Sequence, residues 1–312
     1  LSNVLNGKDS ITYETALKLE TVLGPGAQFW MNLETNYQLT KARLKREADM
    51  AADLAYLKQM PYKEMSDLRW VPATGKRRER VINLRGFFGV AALSAIPEAA
   101  NVLFRKHKPV GTVSDPAVMA WLKKAELEGL AADVGKFSRA RLKNHISRFR
   151  ELTFEDAAVF FPEVQRLCAA CGVALVLVQS LSKTYICGAT LWRRDNPMIA
   201  LTVRGKRADI FWFTFFHELA HLIKHTRKIS RISYEHKSCE DEADEAAAEY
   251  LIPGIQYAKF VQEYNYKDKR VIREYAQSIG IAPCILVGRL LHDQLIDYAR
   301  YSDLRPPFEI EY

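Results

Sequence analysis

The sequence predicts an α+β fold that is mainly helical and contains one small sheet. Stretches with apolar residues at helical spacing account for most of the chain, and Gly and Pro separate them. Three short apolar runs with strand character, residues 173–178, 185–192 and 198–203, follow one another closely. A run rich in aromatic residues, 211–225, comes next and contains neither Gly nor Pro. We therefore expect a small sheet beside a long buried helix, with further helices around both.

The composition is that of a globular, water-soluble protein. The chain has 312 residues, 48% of them apolar, which suits one large domain or a few ordinary ones. No apolar run approaches the length of a membrane span and nothing resembles a signal peptide, so we expect a cytoplasmic protein without a membrane partner. The five cysteines have no repeated spacing, which favours reduced thiols, and the lone C-x-x-C at Cys168 and Cys171 is interpreted as a packing feature. The net charge of +8 is compatible with a nucleic-acid partner but does not require one.

The N-terminal region contains three helical patterns. Thr12 is expected to cap a helix that ends at Gly24 and Pro25. A second helix follows with Trp30 among its apolar residues. From residue 39 to about residue 62, a charged amphipathic pattern predicts a helix that could dimerise or bridge domains, which is compatible with a homodimer.

The middle of the chain, residues 72–149, is predicted to be mostly helical and without catalytic chemistry. We interpret it as a connecting or substrate-shaping layer. Its basic cluster, Lys76 to Arg80, is equally compatible with phosphate contact and with a solvated face. After residue 253 the chain returns to helices, and the pattern of residues 272–291 fits both a helix-turn-helix, by the spacing of Ala276 and Gly280, and plain core packing.

The strongest chemical signal is H-E-x-x-H, formed by His217, Glu218 and His221. Positions four apart lie on one helix face about 6 Å apart along the axis, so both imidazoles can reach one tetrahedral zinc ion. The motif assigns Glu218 the role of general base toward the water that the metal activates. His225 would lie about 12 Å along the axis from His217 and is not expected to be a ligand.

A third ligand is expected from the acidic stretch 239–253, which predicts a second helix ended by Pro253. Glu240 and Asp244 are four residues apart and therefore share a helix face. Glu240 can bind zinc while Asp244 accepts the free ring N–H of a ligating histidine. Glu242 is the alternative ligand, although it points away from Asp244. Small residues on this helix would let it pack closely on another one: Ala243, Ala246 and Ala247.

The two motifs together resemble the ImmA/IrrE family of zinc metallopeptidases, with HELAH at residues 217–221 and E-x-x-A-D-x-x-A-A-x-x-L-I-P at residues 240–253. The resemblance implies a minimal zincin-like domain with two His ligands and one Glu ligand. It also implies that an edge of the sheet, formed by one of the three predicted strands, pairs with an extended substrate. Ala246 departs from the family, which usually has Phe there, and this affects packing more than chemistry. GATLW at residues 188–192 is similar to the version of this domain fused behind an HigA-type helix-turn-helix antitoxin module.

The N-terminal segment is similar to part of such a helix-turn-helix. S-x-V-L-N-G-K at residues 2–8 resembles the end of a recognition helix, and residues 11–24 resemble the helix that follows it. The resemblance implies that the first two helices are missing, so we expect a truncated or processed product with weak residual DNA affinity. The DNA-contacting residues that it implies are Ser2, Asn3, Asn6 and Lys8.

The predicted organisation has four parts. They are a partial helix-turn-helix at residues 1–45, a helical connecting region at 46–153, the zincin-like domain at 154–255 and a C-terminal helical subdomain at 256–312.

Three functions fit these features. The first is a zinc-dependent endopeptidase that cleaves a regulatory protein, either a cognate repressor or antitoxin or the chain itself, linked to transcriptional control. The alternative is an HigA-like DNA-binding antitoxin or repressor, with operator DNA in its full-length form and a cognate toxin as partners, whose zinc domain senses or scaffolds. A metal-free interaction module is the third. For the enzyme, candidates for stabilising the oxyanion are Arg231, Tyr234 and His236, in the expected loop between the two motif helices.

Overall fold

The computed structural model of the chain confirms the mainly helical α+β fold with one small sheet. Among the residues that it describes, no helix is long and apolar enough to cross a membrane. The described residues are 4, 9–96, 116–182, 184–193, 196–202, 207–224, 231–234, 241–305 and 307.

Two helices form the N-terminal part, α1 (Tyr13–Leu23) and α2 (Ala27–Tyr56). Thr12 caps α1 as predicted, because its hydroxyl accepts a hydrogen bond from the amide of Thr15 at 3.2 Å. Gly24 ends the helix with φ of 94°, a conformation in which a side chain would be strained. The prediction of two separate helices after Gly24 is wrong. They are one continuous helix, because neither Gly nor Pro interrupts α2.

Three helices of the middle region form a layer over one face of the sheet: α3 (Tyr62–Asp67), α4 (Arg77–Phe88) and α5 (Pro116–Ala131). Trp121 of α5 is fully buried and donates its indole N–H to the carbonyl of Val178 at 3.3 Å. This bond ties the layer to the sheet.

Local contacts engage the basic cluster at the start of α4. Arg80 donates to the carbonyl of Thr74 at 2.8 Å, and its guanidinium lies 5.2 Å from the ring centre of Tyr62. Lys76 pairs with Glu79 at 2.9 Å. These contacts favour a role in local structure over phosphate binding.

In the described part of the chain, the sheet has four strands in the order β1-β3-β2-β4: β1 (Ala174–Leu177), β2 (Ile186–Arg193), β3 (Asn196–Leu201) and β4 (Arg231–Tyr234). β1 runs parallel to β3, whereas β2 is antiparallel to both β3 and β4. The three predicted strands form. β4 was not predicted; its four residues lie between the two motif helices, where a loop was expected.

The sheet separates two hydrophobic cores. On β3, Ile199 and Leu201 belong to one core, whereas Met198 and Ala200 belong to the other. Successive side chains of a strand point to opposite faces, so a sheet that is apolar on both faces must be covered on both. The middle region covers one face. Helices α6 (Arg139–Asn144), α7 (Ile146–Glu151) and α8 (Ala157–Ala170), together with the C-terminal helices, contribute to the core on the other face.

The long helix α9 (Ala208–Lys224) packs against β2 and β3, and α10 (Asp241–Leu251) packs on α9. The described helices after α10 are α11 (Gly254–Glu263), α12 (Lys269–Ser278) and α13 (Pro283–His292), and a 3-10 turn follows at Tyr298–Leu304. In this arrangement α9 lies between the sheet, α10 and α13.

A buried ion pair ties the C-terminal segment to the first turn of α9. Arg305 and Asp209 are 5% and 7% exposed, and the guanidinium Nε lies 2.8 Å from Oδ2 of the carboxylate. Gly288 of α13 lies against the same carboxylate, since a Cβ atom at this glycine would come within 2.9 Å of Oδ2. The guanidinium of Arg305 also lies 4.8 Å from the ring centre of Tyr298.

Candidate metal centre

The H-E-x-x-H motif lies on α9 in a water-poor environment. His217, Glu218 and His221 are 8%, 0% and 4% exposed. Most of the aromatic residues of this helix are buried, with Trp212 and Phe215 fully buried against aromatic residues of neighbouring helices, whereas Phe213 is 37% exposed. Buried polar groups require defined partners, so the contacts of these three side chains indicate what the site is built to hold.

The two histidines direct the same ring nitrogen toward a common point. Their Nε2 atoms are 3.1 Å apart and their ring planes are nearly perpendicular, at 89°. Two histidine nitrogens bound to one tetrahedral zinc ion at about 2.0–2.1 Å would be separated by roughly 3.4 Å. Two imidazole lone pairs at this distance repel each other unless a proton or a cation lies between them. The spacing therefore fits a shared metal ion.

Asp244 determines which nitrogen of His217 faces that point. Its Oδ1 lies 2.7 Å from Nδ1 of His217. If Nδ1 carries the ring proton and donates it to Asp244, Nε2 keeps the lone pair that a metal ligand needs. The structure thus brings together three residues predicted from sequence, with Asp244 at the distance required of a supporting acceptor.

Glu218 is held by β2. The hydroxyl of Thr190 donates to Oε2 of Glu218 at 2.6 Å, and Thr190 is itself buried. Gly188 lies beside the other carboxylate oxygen, since a Cβ atom there would come within 2.8 Å of Oε1. Sequence reasoning missed both residues as parts of the site, although both stand in the GATLW stretch.

The expected third ligand, Glu240, lies outside the described residues. The alternative, Glu242, is exposed on α10. Ala243 and Ala246 of the same helix are buried in a small cluster with Ala220 of α9, and these short side chains let the two helices approach closely. Within the described residues, no group of three or more His, Cys, Asp or Glu side chains forms a complete metal site.

The residues between the two motif helices differ from the expectation. Arg231 and Tyr234 are the ends of β4 and do not belong to a loop. His225 and His236 lie outside the described residues, as do the four residues predicted to contact DNA, Ser2, Asn3, Asn6 and Lys8.

The C-x-x-C pair does not form a second reactive centre. Cys168 and Cys171 are both buried in the core where α8 ends. Burial raises the pKa of the Cys168 thiol, and the neighbouring Cys171 adds to this shift. Burial also raises the pKa of Cys171, and nearby Arg141 offsets part of this shift. Both thiols therefore stay protonated and unreactive at neutral pH.

Comparison with known proteins identifies a related domain. No curated protein matches the chain. Residues 174–282 match a family model, and this segment contains all four strands, both motif helices and the helices that follow them as far as α12. The matching model is that of the IrrE N-terminal-like domain, Peptidase_M78.

Proposed function

We propose that the chain is a zinc-dependent endopeptidase that cleaves a regulatory protein. The observation that carries the proposal is the convergence of the Nε2 atoms of His217 and His221, 3.1 Å apart, beside the buried carboxylate of Glu218. The match of residues 174–282 to a peptidase domain supports the reaction class.

The residues of the site have separate proposed roles in zinc binding and in proton transfer. Zinc, when bound, supplies a Lewis acid that polarises a peptide carbonyl and lowers the pKa of a water molecule. His217 and His221 would hold the ion, and Asp244 keeps His217 in the tautomer that can do so. Glu218 would accept a proton from the attacking water and pass it to the leaving nitrogen.

Glu240 is proposed as the third ligand, with the exposed Glu242 as the less favoured alternative. Residues four apart on a helix share a face, and Asp244 is within hydrogen-bond distance of His217. A carboxylate one turn before Asp244 would point toward the same imidazoles. Glu242 is exposed, which suits a solvated side chain better than a ligand.

The outer edge of β4 is proposed as the place where an extended substrate pairs with the sheet. Two of the strands expected to provide this edge, β2 and β3, are paired on both sides and offer none. β1 is the edge strand that pairs with β3, whereas β4 pairs with residues 186–190 of β2, the strand whose Thr190 contacts Glu218. Main-chain hydrogen bonds to such an edge give affinity for peptides in extended form.

The proposed substrates are a cognate repressor or antitoxin, or a helix-turn-helix segment attached to this chain. The alternative function is that of an HigA-like DNA-binding antitoxin or repressor that also contacts a cognate toxin. Its support is the pair α1 and α2, which forms where the resemblance implied the later helices of a DNA-binding unit. In that case zinc would serve sensing or scaffolding, without proteolysis.

The test compares the wild type with Glu218→Gln. Each is incubated alone, in a form carrying a complete helix-turn-helix, and with the proteins encoded beside it, and the products are analysed by mass spectrometry. The variant should keep zinc and the fold but lose about 100- to 10,000-fold in rate, because the base is removed. Cleavage by the wild type alone supports the peptidase. If both forms leave every candidate intact while binding zinc and operator DNA, the sensing repressor is favoured instead.

A further inference from the structure

We propose that Thr190 is a positioning residue for Glu218, and that Gly188 provides the space in which the Glu218 carboxylate is held. This inference rests on the proposed peptidase function. It concerns how the sheet controls the orientation of the base, which the H-E-x-x-H motif does not specify.

Thr190 is well placed to fix another side chain. It pairs with Ile199 of β3 on one side and with Arg231 of β4 on the other, so its backbone is held by two neighbouring strands. Its side chain is 1% exposed. A β-branched residue also has few accessible rotamers, so the direction of its hydroxyl is largely determined by the strand.

The hydroxyl selects the carboxylate over the nearby carbonyl. It lies 2.6 Å from Oε2 of Glu218 and 3.4 Å from the backbone oxygen of the same residue. One proton can make one strong bond, and the shorter distance identifies the carboxylate as its acceptor. Thr190 therefore anchors Oε2.

Gly188 restricts the same carboxylate by shape. A Cβ atom at this position would lie 2.8 Å from Oε1 of Glu218 and 2.9 Å from Cγ2 of Thr214. Both distances are shorter than real Cβ contacts, so any larger residue would force Glu218 or Thr214 to move. The absence of a side chain at Gly188 therefore leaves the space that the Glu218 carboxylate occupies.

Positioning matters because a glutamate has three rotatable side-chain bonds. Beside a metal ion, an unrestrained carboxylate can turn to ligate the ion and then no longer acts as a base. A donor on one oxygen and close contact at the other select one orientation. Thr190 does not have to touch the substrate to have this effect.

The first test measures cleavage of a peptide that spans the site cut by the wild type. Thr190→Val removes the hydroxyl at nearly constant volume and should lower kcat about 10- to 100-fold, with KM and zinc affinity unchanged. Thr190→Ser keeps the hydroxyl and should restore most of the rate. Thr202→Val is the matched control, because Thr202 is buried just after β3 and its hydroxyl donates to the carbonyl of Val178 at 3.2 Å, away from Glu218.

The second test needs no activity. Thr190→Val should lower the Tm by about 2 °C or more when Glu218 is present, because a buried carboxylate loses its donor, and by much less in the Glu218→Ala background. Gly188→Ala should lower the Tm and kcat together, because the added methyl group displaces the base.

The two tests separate the possible failures. Wild-type kcat in Thr190→Val, or a Thr190→Ser variant as slow as Thr190→Val, overturns the positioning role. Equal Tm losses in both backgrounds also overturn it, whatever the activity. If the wild type cleaves nothing but the Tm loss depends on Glu218, the peptidase proposal fails and the control of the Glu218 carboxylate by Thr190 stands.

Discussion

The side-chain contacts of Asp244, Thr190 and the two motif histidines assign a separate task to each residue. Asp244 contacts the ring of His217, Thr190 donates to the carboxylate of Glu218, and the two imidazoles bring their Nε2 atoms together, as the proposed metal site requires. Each partner acts on one atom of its neighbour. Single substitutions should therefore have separable effects on metal binding and on catalysis.

Removing either histidine should abolish zinc binding. We expect about one zinc per wild-type chain and near-complete loss in His217→Ala and His221→Ala, because one imidazole and one carboxylate hold the ion poorly. Elemental analysis of the purified protein measures the stoichiometry. His292→Ala is the matched control, since His292 is exposed on the last turn of α13 and should leave the zinc content unchanged. Wild-type zinc content in both test variants would move the site elsewhere.

The third ligand can be identified by comparing three variants. Glu240→Gln should weaken zinc binding far more than Glu242→Gln does, because the four-residue spacing predicts that Glu240 shares a helix face with Asp244, whereas Glu242 is exposed. Asp244→Ala should cause an intermediate loss of about 10- to 100-fold, as expected for a residue that orients a ligand. Competition with a chromogenic chelator measures the affinities. A larger loss in Glu242→Gln would transfer the role to that residue.

Local spacing explains which site residues could be predicted. His217, Glu218 and His221 follow from one helical repeat, and Asp244 follows from its spacing to Glu240 on a second helix. Thr190 reaches Glu218 across 28 positions and from a strand to a helix, so no periodicity signals the contact. Such a partner is visible only once the register of β2 over α9 is known.

At the scale of elements, apolar content and continuity decided which predictions held. Three strands were predicted correctly because each lies in a mainly apolar run. β4 reads Arg-Ile-Ser-Tyr, without an apolar run, and depends on pairing with β2, so its own sequence carries little signal. α2 was divided in the prediction because its composition changes from apolar to charged, although its backbone continues without a break.

The close contact of α9 and α10 should be sensitive to side-chain size. Ala243→Leu adds a bulky group where Ala243 faces Ala220, and overpacking of this kind costs about 1–3 kcal/mol. We also expect weaker zinc binding, because a displaced α10 lengthens the contact of Asp244 with His217. Thermal unfolding and zinc titration measure the two effects. Ala248→Leu, on a less buried side of α10, should change neither by much, and equal losses in both variants would contradict the argument.

At the scale of the whole molecule, the sheet lies between two hydrophobic cores, and the sequence alone did not show which helices cover each face. The middle region was predicted as a connecting layer, yet its helix α5 packs directly on β1 and β3. The sequence shows that each element is apolar on some face, but it does not show which faces meet. Long-range pairs such as Trp121 with Val178 therefore lay beyond sequence reasoning.

The buried pair of Arg305 and Asp209 should contribute strongly to the integrity of the fold. Arg305→Leu leaves the Asp209 carboxylate buried without its countercharge, and such a loss costs about 3–5 kcal/mol. Asp209→Asn should cost a comparable amount. The double variant should lose less than the sum of the two single losses, because the partner left behind is neutral. Chemical denaturation measures all three, and strictly additive losses would mean that the two side chains act independently.

The anchoring of α9 by residues beyond position 282 bears on how the protein can be dissected. The segment that matches the family model ends before α13, and α13 and Arg305 both contact α9. A recombinant fragment cut at the borders of the match would expose the side of α9 that packs on α13. It would also leave the buried carboxylate of Asp209 without its partner Arg305. We expect such a fragment to aggregate, whereas one that retains the middle region as well as α6 to α8 and extends through Arg305 keeps the cores on both faces of the sheet. The segment that matches the family model is therefore shorter than the unit that we expect to fold independently.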